Sequence, residues 1–192
     1  MSKIEEDKWN AIYQSSPHDQ KHAVQVLTEN QHLLPESGKA LDLACGLGAN
    51  ALFLAQHNLN TCAWDISSEA ISTLDKFAKN SNINLDTEVR DVSRNPPHEN
   101  TFDIIVVSHF LDRKIIPDIK NALKKNGRIF YQTFIADKTN DSGPKNPDYL
   151  LDKNELLSLF NEFIILVYRE EGSVGDTCKG FRNEAMLIAQ KK

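Results

Sequence analysis

The chain has 192 residues, 40% of them hydrophobic and 26% charged, with a formal net charge of −5 at pH 7, as expected of one globular domain over residues 1–192. Without clustered Lys and Arg residues, the sequence gives no sign of a nucleic-acid-binding surface. No stretch reaches the ~20 apolar residues of a membrane helix and the N-terminus has no signal-peptide core, so we expect a cytoplasmic protein with no membrane partner.

The cysteine and histidine residues form neither a disulfide pattern nor a metal-binding pattern. The three cysteines, Cys45, Cys62 and Cys178, are scattered and odd in number, which fits reduced thiols. The six histidines show no paired spacing with cysteine or carboxylate residues. We therefore predict that the protein has no metal site.

The first 35 residues predict a helical cap ahead of a core over residues 39–192. Trp9 and Tyr13 are four residues apart in a polar context, so they share one face of a helix. That face either packs against the core or covers a ligand site. Apolar residues between positions 18 and 34 are compatible with a second amphipathic helix, which Pro35 ends.

The stretch that organises the chain is residues 39–54, with the sequence KALDLACGLGANALFL. An apolar run that contains Asp42 is followed by Gly46 and Gly48 and then by alanine and leucine residues. This order predicts a buried strand, a tight glycine turn and the start of a helix. Glycine tolerates a positive φ and has no Cβ, so the backbone of the turn can press against a ligand that faces the first free N–H groups of the helix.

A second acid, Asp65, ends the next apolar run at residues 61–64. Gly46, Gly48 and Ala51 satisfy the G-x-G-x-x-A fingerprint of dinucleotide-binding proteins, and Asp65 follows nearly twenty residues further on, as that fingerprint requires. However, the carboxylate of Asp42 would repel a pyrophosphate, which argues against a dinucleotide. The position of Asp65 is the one expected of an acid that accepts hydrogen bonds from the ribose hydroxyls of a nucleoside.

The segment after Asp65 predicts a helix and a third strand. Apolar residues over 67–79 form a helical stripe with Ser67 as candidate N-cap, and the strand follows at residues 85–89. Asp91 comes just past that strand. It is either an aspartate that caps the turn or an acid that contacts the ligand.

The run FDIIVV at residues 102–107 predicts a fully buried parallel strand. Ligands of open α/β sheets bind outside the carboxyl ends of the strands, so Ser108 and His109 are expected to face the ligand. His109 is a candidate general base, because an imidazole can take a proton near neutral pH. The alternative is a hydrogen-bonded structural histidine at the end of a strand.

A helix is predicted at residues 115–123, ended by Asn126 and Gly127, and a fifth strand follows at residues 128–134. The polar segment 136–149 then exceeds most connections in compact domains. It is either a lid over the acceptor or a mobile surface loop.

The last two strands are predicted at residues 163–168 and 184–189. Only a glycine-rich stretch lies between them, with no helical pattern, so they are expected to pair antiparallel. A dinucleotide-binding domain would normally finish a second βαβ half instead. Five alternating β and α units closed by such a hairpin therefore argue against a nicotinamide-dependent enzyme.

Taken together, these motifs resemble those of class I S-adenosylmethionine-dependent methyltransferases over roughly residues 9–190. The string DLACGLG, which begins at Asp42, resembles the first motif of that superfamily, with Ala44 in place of its first glycine. The segments LDLACGLGANALFLA, FDIIVVSHFL and NPDYLL resemble segments of the tellurite-resistance-type methyltransferases and their small-molecule relatives. The resemblance implies a Rossmann-like α/β three-layer sandwich whose seven-stranded, mostly parallel sheet has the order 3-2-1-4-5-7-6, with strand 7 antiparallel.

The resemblance also implies a cofactor and its contacts. S-adenosyl-L-methionine would be the methyl donor, Asp91 would accept a proton of the adenine amine, and the methyl acceptor would be a small molecule or an oxyanion. The expected cofactor-binding residues are Asp42, Ala44, Cys45, Gly46, Gly48, Asn50, Asp65, Ile66, Asp91, Val92 and Ser108. Two other functions stay open, an NAD(P)-dependent oxidoreductase and a non-catalytic nucleoside-binding protein of the same fold.

Overall fold

Seven strands form one sheet at the centre of the molecule. The computed structural model describes residues 3–15 and 22–192. In chain order the strands are β1 Lys39–Leu43, β2 Asn60–Asp65, β3 Asp86–Val89, β4 Phe102–Ser108, β5 Leu123–Phe134, β6 Ile164–Glu170 and β7 Glu184–Gln190. Their spatial order is β3-β2-β1-β4-β5-β7-β6. The first five strands pair in parallel, and β7 runs antiparallel to both β5 and β6, which confirms the predicted sheet.

The helices are α1 Lys3–Ser15, α2 Gln25–Thr28, α3 Ala49–Gln56, α4 Ser68–Asn80, α5 Ile116–Ala122 and α6 Glu155–Leu159. None of the helices within the described ranges is long and apolar enough to cross a membrane. The predicted helix cap is present, because the Ser67 hydroxyl accepts a hydrogen bond from the Ala70 amide at 3.2 Å.

The sheet has a hydrophobic core on each face, because apolar side chains alternate between the two sides of its central strands. In β4, Ile105 and Val107 belong to the core that includes Ile119 of α5 and Leu156 of α6. Ile104 and Val106 point the other way, into the core that includes residues of α2 and α3. A strand buried on both faces reads as a continuous apolar run, which explains the sequence FDIIVV.

The predicted helix over positions 18–34 is much shorter in the structure. Positions 18–21 lie outside the described residues, α2 covers only Gln25–Thr28, and a 3₁₀ turn follows at Gln31–Leu33. The start of α2 is held by side chains from elsewhere in the fold, since the Val26 amide donates to the Gln132 Oε1 at 2.7 Å. Such long-range contacts are invisible in a local apolar pattern.

The predicted end of α5 at Asn126 and Gly127 is wrong. The helix stops at Ala122, and Leu123 is already extended, with ψ of 135°, because it pairs with Phe102 at the start of β4. Asn126 lies inside β5 with a left-handed φ of 64° and donates its amide to the carbonyl of Lys191. Asparagine tolerates this conformation in a strand irregularity as well as at a helix end.

Candidate functional site

A cavity of about 310 Å³ opens at the carboxyl ends of β1 to β4. This edge is where open α/β sheets bind their ligands. The structure brings every residue of the predicted cofactor set to the cavity wall except Asp42, and His109 lies on the wall as well. Residues that sequence reasoning did not assign to the cofactor also line the cavity: Trp9, Tyr13, His22, Val24, Leu47, Ala49, Arg90 and Phe110.

The floor of the cavity is the glycine turn between β1 and α3. Gly46 and Gly48 have φ angles of 53° and 79°, in the left-handed region that side chains rarely adopt. A Cβ atom at Gly48 would lie 2.4 Å from a methyl carbon of Leu74, and one at Gly46 would lie 2.7 Å from the Tyr13 hydroxyl. Ala44, which replaces the first glycine of the motif, is also left-handed, with φ of 57°. The turn therefore depends on the absence of side chains at both glycines.

Asp42 lies beneath this turn and not in the cavity wall. Its side chain is fully buried and accepts hydrogen bonds from the Ala51 amide at 3.0 Å and the Asn50 amide group at 3.4 Å. Burial raises the pKa of Asp42 to about 7, although these two hydrogen bonds oppose the shift. The carboxylate thus supports the first turn of α3, and its direct contact with a ligand stays a prediction.

This burial predicts a pH effect on stability that Asp42→Asn should reduce. The folded protein favours the neutral carboxyl, so the stabilisation present below about pH 4 is lost as the pH rises towards 7. Between these limits the free energy of unfolding should fall less in Asp42→Asn than in the wild type, by up to ~4 kcal/mol. Urea denaturation across this pH range measures the difference.

The exposed loop residue Asp141 offers the matched control, because Asp141→Asn makes the same chemical change at the surface. It should leave the pH dependence as it is in the wild type. Parallel stability curves for Asp42→Asn and the wild type would show that the Asp42 carboxyl has an ordinary affinity for its proton.

Asp65 closes the side of the cavity at the end of β2. Its Oδ2 accepts from the Gly46 amide at 2.8 Å and its Oδ1 from the Ser67 amide at 2.9 Å, so it ties the glycine turn to the start of α4. Burial raises the pKa of Asp65, and the hydrogen bonds from backbone amides oppose that shift. Each carboxylate oxygen can accept a second hydrogen bond, so Asp65 retains capacity for a ligand in the cavity.

The end of β3 contributes Asp91 and Arg90. Asp91 Oδ1 accepts from the Ser93 amide at 3.1 Å, so the residue does cap its turn while it also lines the cavity. Arg90 was missed by sequence reasoning. Its guanidinium lies over the Trp64 ring at 3.9 Å from the centroid and donates to the carbonyl of Asn95.

Asn50 and Ser108 connect the first strand–turn–helix unit to β4. The Asn50 amide group donates to the Ser108 hydroxyl at 2.9 Å and its Oδ1 accepts from the Val24 amide at 3.0 Å. The side chain therefore joins α3, the end of β4 and the start of α2. Its contribution to a bound cofactor stays a prediction.

His109 follows β4 in a left-handed conformation, with φ of 52°, which costs about 1–2 kcal/mol for a residue with a side chain. Its Nε2 lies 3.1 Å from the Oε1 of Glu184, and its ring packs against Phe134 with centroids 4.9 Å apart. The Gln132 side chain donates to the other Glu184 oxygen at 2.6 Å. Burial alone would raise the pKa of Glu184, but the hydrogen bonds from His109 and Gln132 outweigh it and lower the pKa.

Helix α1 brings two aromatic rings to the cavity. Trp9 and Tyr13 stack with their centroids 6.0 Å apart and both line the wall. The helix is anchored by Asn10, whose Oδ1 accepts from the Ser67 hydroxyl at 2.7 Å. Burial raises the pKa of the Tyr13 hydroxyl well above its usual value, with a smaller contribution from the nearby Asp65. The face predicted from the spacing of these rings is thus turned towards the site.

Segment 136–149 does not contribute to the cavity wall. Lys138 fastens it internally by donating to the carbonyls of Ser142 and Pro144, and Arg113 donates to the carbonyl of Asp148. A role as a lid therefore stays a prediction. Within residues 3–15 and 22–192, no group of three His, Cys, Asp or Glu side chains is arranged to hold a metal ion.

The sheet order, the glycine turn and the acid at the end of β2 together define a protein with the class I methyltransferase fold. Comparison with known proteins gives the particular family. A family model described as "Tellurite resistance protein TehB" matches residues 5–185, so the chain belongs to the TehB family.

Two comparisons with TehB of Haemophilus influenzae agree with this assignment. The curated protein, named a probable S-adenosyl-L-methionine-dependent methyltransferase, is 29% identical over 167 residues, covering 80% of this chain and 57% of the relative. This chain thus matches little more than half of the relative's length. The crystal structure of that TehB has a TM-score of 0.71 at 25% identity and covers 97% of this chain and 67% of that one.

The fold is also shared with more distant proteins. A structure of a SAM-dependent methyltransferase from Methanosarcina mazei has a TM-score of 0.68 at 22% identity. The match covers 89% of this chain and 99% of the other, so the two proteins have a nearly complete fold in common.

Proposed function

We propose that this protein transfers a methyl group from S-adenosylmethionine to a small-molecule acceptor. The observation that carries the proposal is the cavity floor, where the backbone at Gly46 is bare and is held by the buried carboxylate of Asp65. A floor without side chains lets a ligand lie against backbone N–H groups, and a carboxylate beside it suits ribose hydroxyls. Membership of the TehB family supports the same donor.

The cavity wall fits the three parts of this cofactor. Asp65 would hold the ribose, and Asp91 would accept from the adenine amine while Ile66 and Val92 cover the faces of the base. The turn from Ala44 to Gly48 would take the methionine part. Each of these residues lines the cavity, and together they span the ends of three neighbouring strands.

S-adenosylmethionine, when bound, supplies a methyl group on a positively charged sulfur, which is released as a neutral thioether after transfer. The chain's own residues then have to position the acceptor and exclude water. Positioning alone can lower a barrier by roughly 7–11 kcal/mol. Trp9, Tyr13 and Phe110 are suited to this task because they line the cavity with aromatic surface. No covalent intermediate on the protein is required.

His109 is the residue to which we assign the handling of a proton. If the acceptor must lose a proton as it is methylated, an imidazole on the cavity wall can take it near neutral pH. An acceptor that is already an anion needs no such base. Whether His109 acts as a base therefore depends on whether the methyl acceptor has a proton to lose.

The experiment that tests the proposal is a thermal-shift comparison of the purified protein with four ligands. S-adenosylmethionine and S-adenosylhomocysteine should raise the melting temperature, by about 5–10 °C at a hundredfold excess over the dissociation constant. NAD and NADP should leave it unchanged. A shift with the dinucleotides alone would identify an oxidoreductase, and nucleoside binding without turnover of any acceptor would identify a non-catalytic binding protein.

Asp65→Ala is expected to weaken S-adenosylhomocysteine binding at least tenfold, equivalent to ~1.4 kcal/mol, because the ribose loses its acceptor. Calorimetry on the folded variant measures the change, and Asp86→Ala, at the exposed start of β3, is the control. The loss should be much smaller for a 2′,3′-dideoxy analogue. An equal loss for both ligands would mean that Asp65 only supports the glycine turn.

A further inference from the structure

The side chain of Arg90 links the end of β2 to the turn that follows β3. Its guanidinium lies over the Trp64 ring, with 3.9 Å between the guanidinium carbon and the ring centroid. Nε donates to the carbonyl of Asn95 at 2.8 Å, and Nη2 donates to the carbonyl of Pro96 at 2.9 Å. Only 13% of this charged side chain is exposed. Arg90 is therefore held between an aromatic ring of β2 and two carbonyls of the turn.

The turn at residues 91–95 is a compact unit closed on the Asp91 carbonyl. The amides of Arg94 and Asn95 both donate to that carbonyl, at 3.1 and 2.8 Å. The Asp91 carboxylate is oriented within the turn as well, because Oδ1 accepts from the Ser93 amide and Oδ2 lies 3.6 Å from the Arg94 Nε. The position of this carboxylate in the cavity therefore depends on how the whole turn is attached to the sheet.

Arg90 provides that attachment on the side of β2. The turn belongs to a connection without a helix, residues 90–101, that joins β3 to β4. The Arg90 amide donates to the Asp65 carbonyl at 2.7 Å, and its guanidinium rests on the neighbouring Trp64. Asp65 is the residue assigned to the ribose, and Asp91 is the residue assigned to the adenine. Arg90 thus fixes the spacing of the two carboxylates that are assigned to the nucleoside.

Arginine suits this position better than lysine. A guanidinium is a flat fork that can stack on a ring and donate to several acceptors at once, whereas an ammonium group is a compact point charge. Nη1 of Arg90 also lies 3.3 Å from the Glu88 Oε2, so the charge has an acidic partner. Another attachment of the turn, from the Ser93 hydroxyl to Asp112 at 2.9 Å, ties it to the loop after β4 and not to β2.

We infer that Arg90 is a positioning residue that makes the site selective for adenine, because it holds Asp91 where it meets the amino group on carbon 6 of the purine. The inference rests on the proposed binding of S-adenosylmethionine and adds a specificity-determining residue to it. A purine with an oxygen on carbon 6 presents an acceptor in place of that donor, so a carboxylate held at this point rejects it. A displaced turn would lose this discrimination while the ribose keeps its partner.

Purine discrimination tests this role. Calorimetry compares S-adenosylhomocysteine with S-inosylhomocysteine, in which an oxygen replaces the amino group. The wild type should prefer the adenine compound by about tenfold or more. In Arg90→Lys the affinity for the adenine compound should fall about tenfold, whereas the affinity for the inosine compound should change by less than about threefold.

Coupling to Asp91 separates positioning from a general loss of stability. Asp91→Asn should remove most of the preference by itself, and the addition of Arg90→Lys should have little further effect, because both changes act on the same contact. Arg128→Lys is the matched control, since Arg128 donates to the carbonyl of Leu33 at 2.8 Å and does not line the cavity. It should leave the preference for adenine unaltered.

Amide hydrogen exchange of the unliganded wild type is a measurement that needs no variant. A turn that is held in place before the ligand arrives should protect the Asn95 amide by about tenfold or more relative to an unstructured chain. In Arg90→Lys this amide should exchange about tenfold faster than in the wild type. The amide of Ile129, in the buried part of β5, should exchange at the same rate in both proteins.

An equal loss of affinity for both ligands in Arg90→Lys, or additive effects in the double variant, would overturn the inference and leave Arg90 as a support of the fold. A wild type that binds both ligands equally, or an Asn95 amide that exchanges like an unstructured chain, would overturn it too. Failure of the wild type to bind S-adenosylhomocysteine would instead refute the proposed function, and with it the basis of the inference.

Discussion

Gly46→Val is expected to abolish binding of S-adenosylhomocysteine, with an affinity loss of more than a hundredfold, or ~2.7 kcal/mol. The residue has φ of 53°, where a β-branched side chain is strained, and its added Cβ would lie 2.7 Å from the Tyr13 hydroxyl. The rest of the valine would project into the space above the glycine turn. Isothermal calorimetry on the folded variant measures the loss.

Gly175→Val separates occlusion of the cavity from backbone strain. Gly175 has a left-handed φ of 77°, but no atom lies within 4 Å of its added Cβ. This variant should therefore be strained in a similar way and bind the nucleoside normally. If Gly46→Val is folded and also binds S-adenosylhomocysteine normally, the glycine turn has only a structural role.

His109→Ala should slow methylation of a hydroxyl acceptor by about 10²–10⁴-fold, the usual contribution of a positioned base. The acidic limb of the pH profile should disappear with it, because the proton acceptor at position 109 has been removed. An acceptor that is already anionic should react at nearly the wild-type rate. Steady-state kinetics across the pH range gives all three results.

The left-handed backbone at this position calls for a second variant. His109→Asn tolerates the φ of 52° and keeps a polar side chain, so it should lose the rate while it retains the fold. His98→Ala, at an exposed site away from the cavity, is the control. Wild-type rates in both His109 variants on every accepted compound would leave His109 as a structural residue.

The elements of the sheet could be predicted because they depend on local patterns. Continuous apolar runs mark strands buried on both faces, and the missing helix before β7 indicates an antiparallel strand. The order of the seven strands came from the resemblance and is confirmed. The boundaries that failed, at α2 and α5, are those set by distant partners such as Gln132 and Phe102.

The residues in and around the cavity also divide into those that local patterns could predict and those that depend on distant contacts. Residues at the carboxyl ends of the strands, such as Asp65 and Ser108, could be placed from their positions in the sequence. Glu184 and Gln132 could not, because their contact depends on the register in which β7 pairs with β5, where Gln132 lies opposite Met186. Arg90 was missed because a single arginine beside a strand carries no sequence signal of its stacking on Trp64.

The pairing of β7 with β5 has a consequence for how the protein can change. The groups assigned to the donor nucleoside lie in the first 108 residues, whereas Gln132 and Glu184, which support His109, come from the second part of the chain. During evolution, a mutation at the start of β7 can therefore change the support of His109 without changing any residue of the predicted donor set. The antiparallel seventh strand thus supplies this support from a part of the chain that contributes no residue to that set.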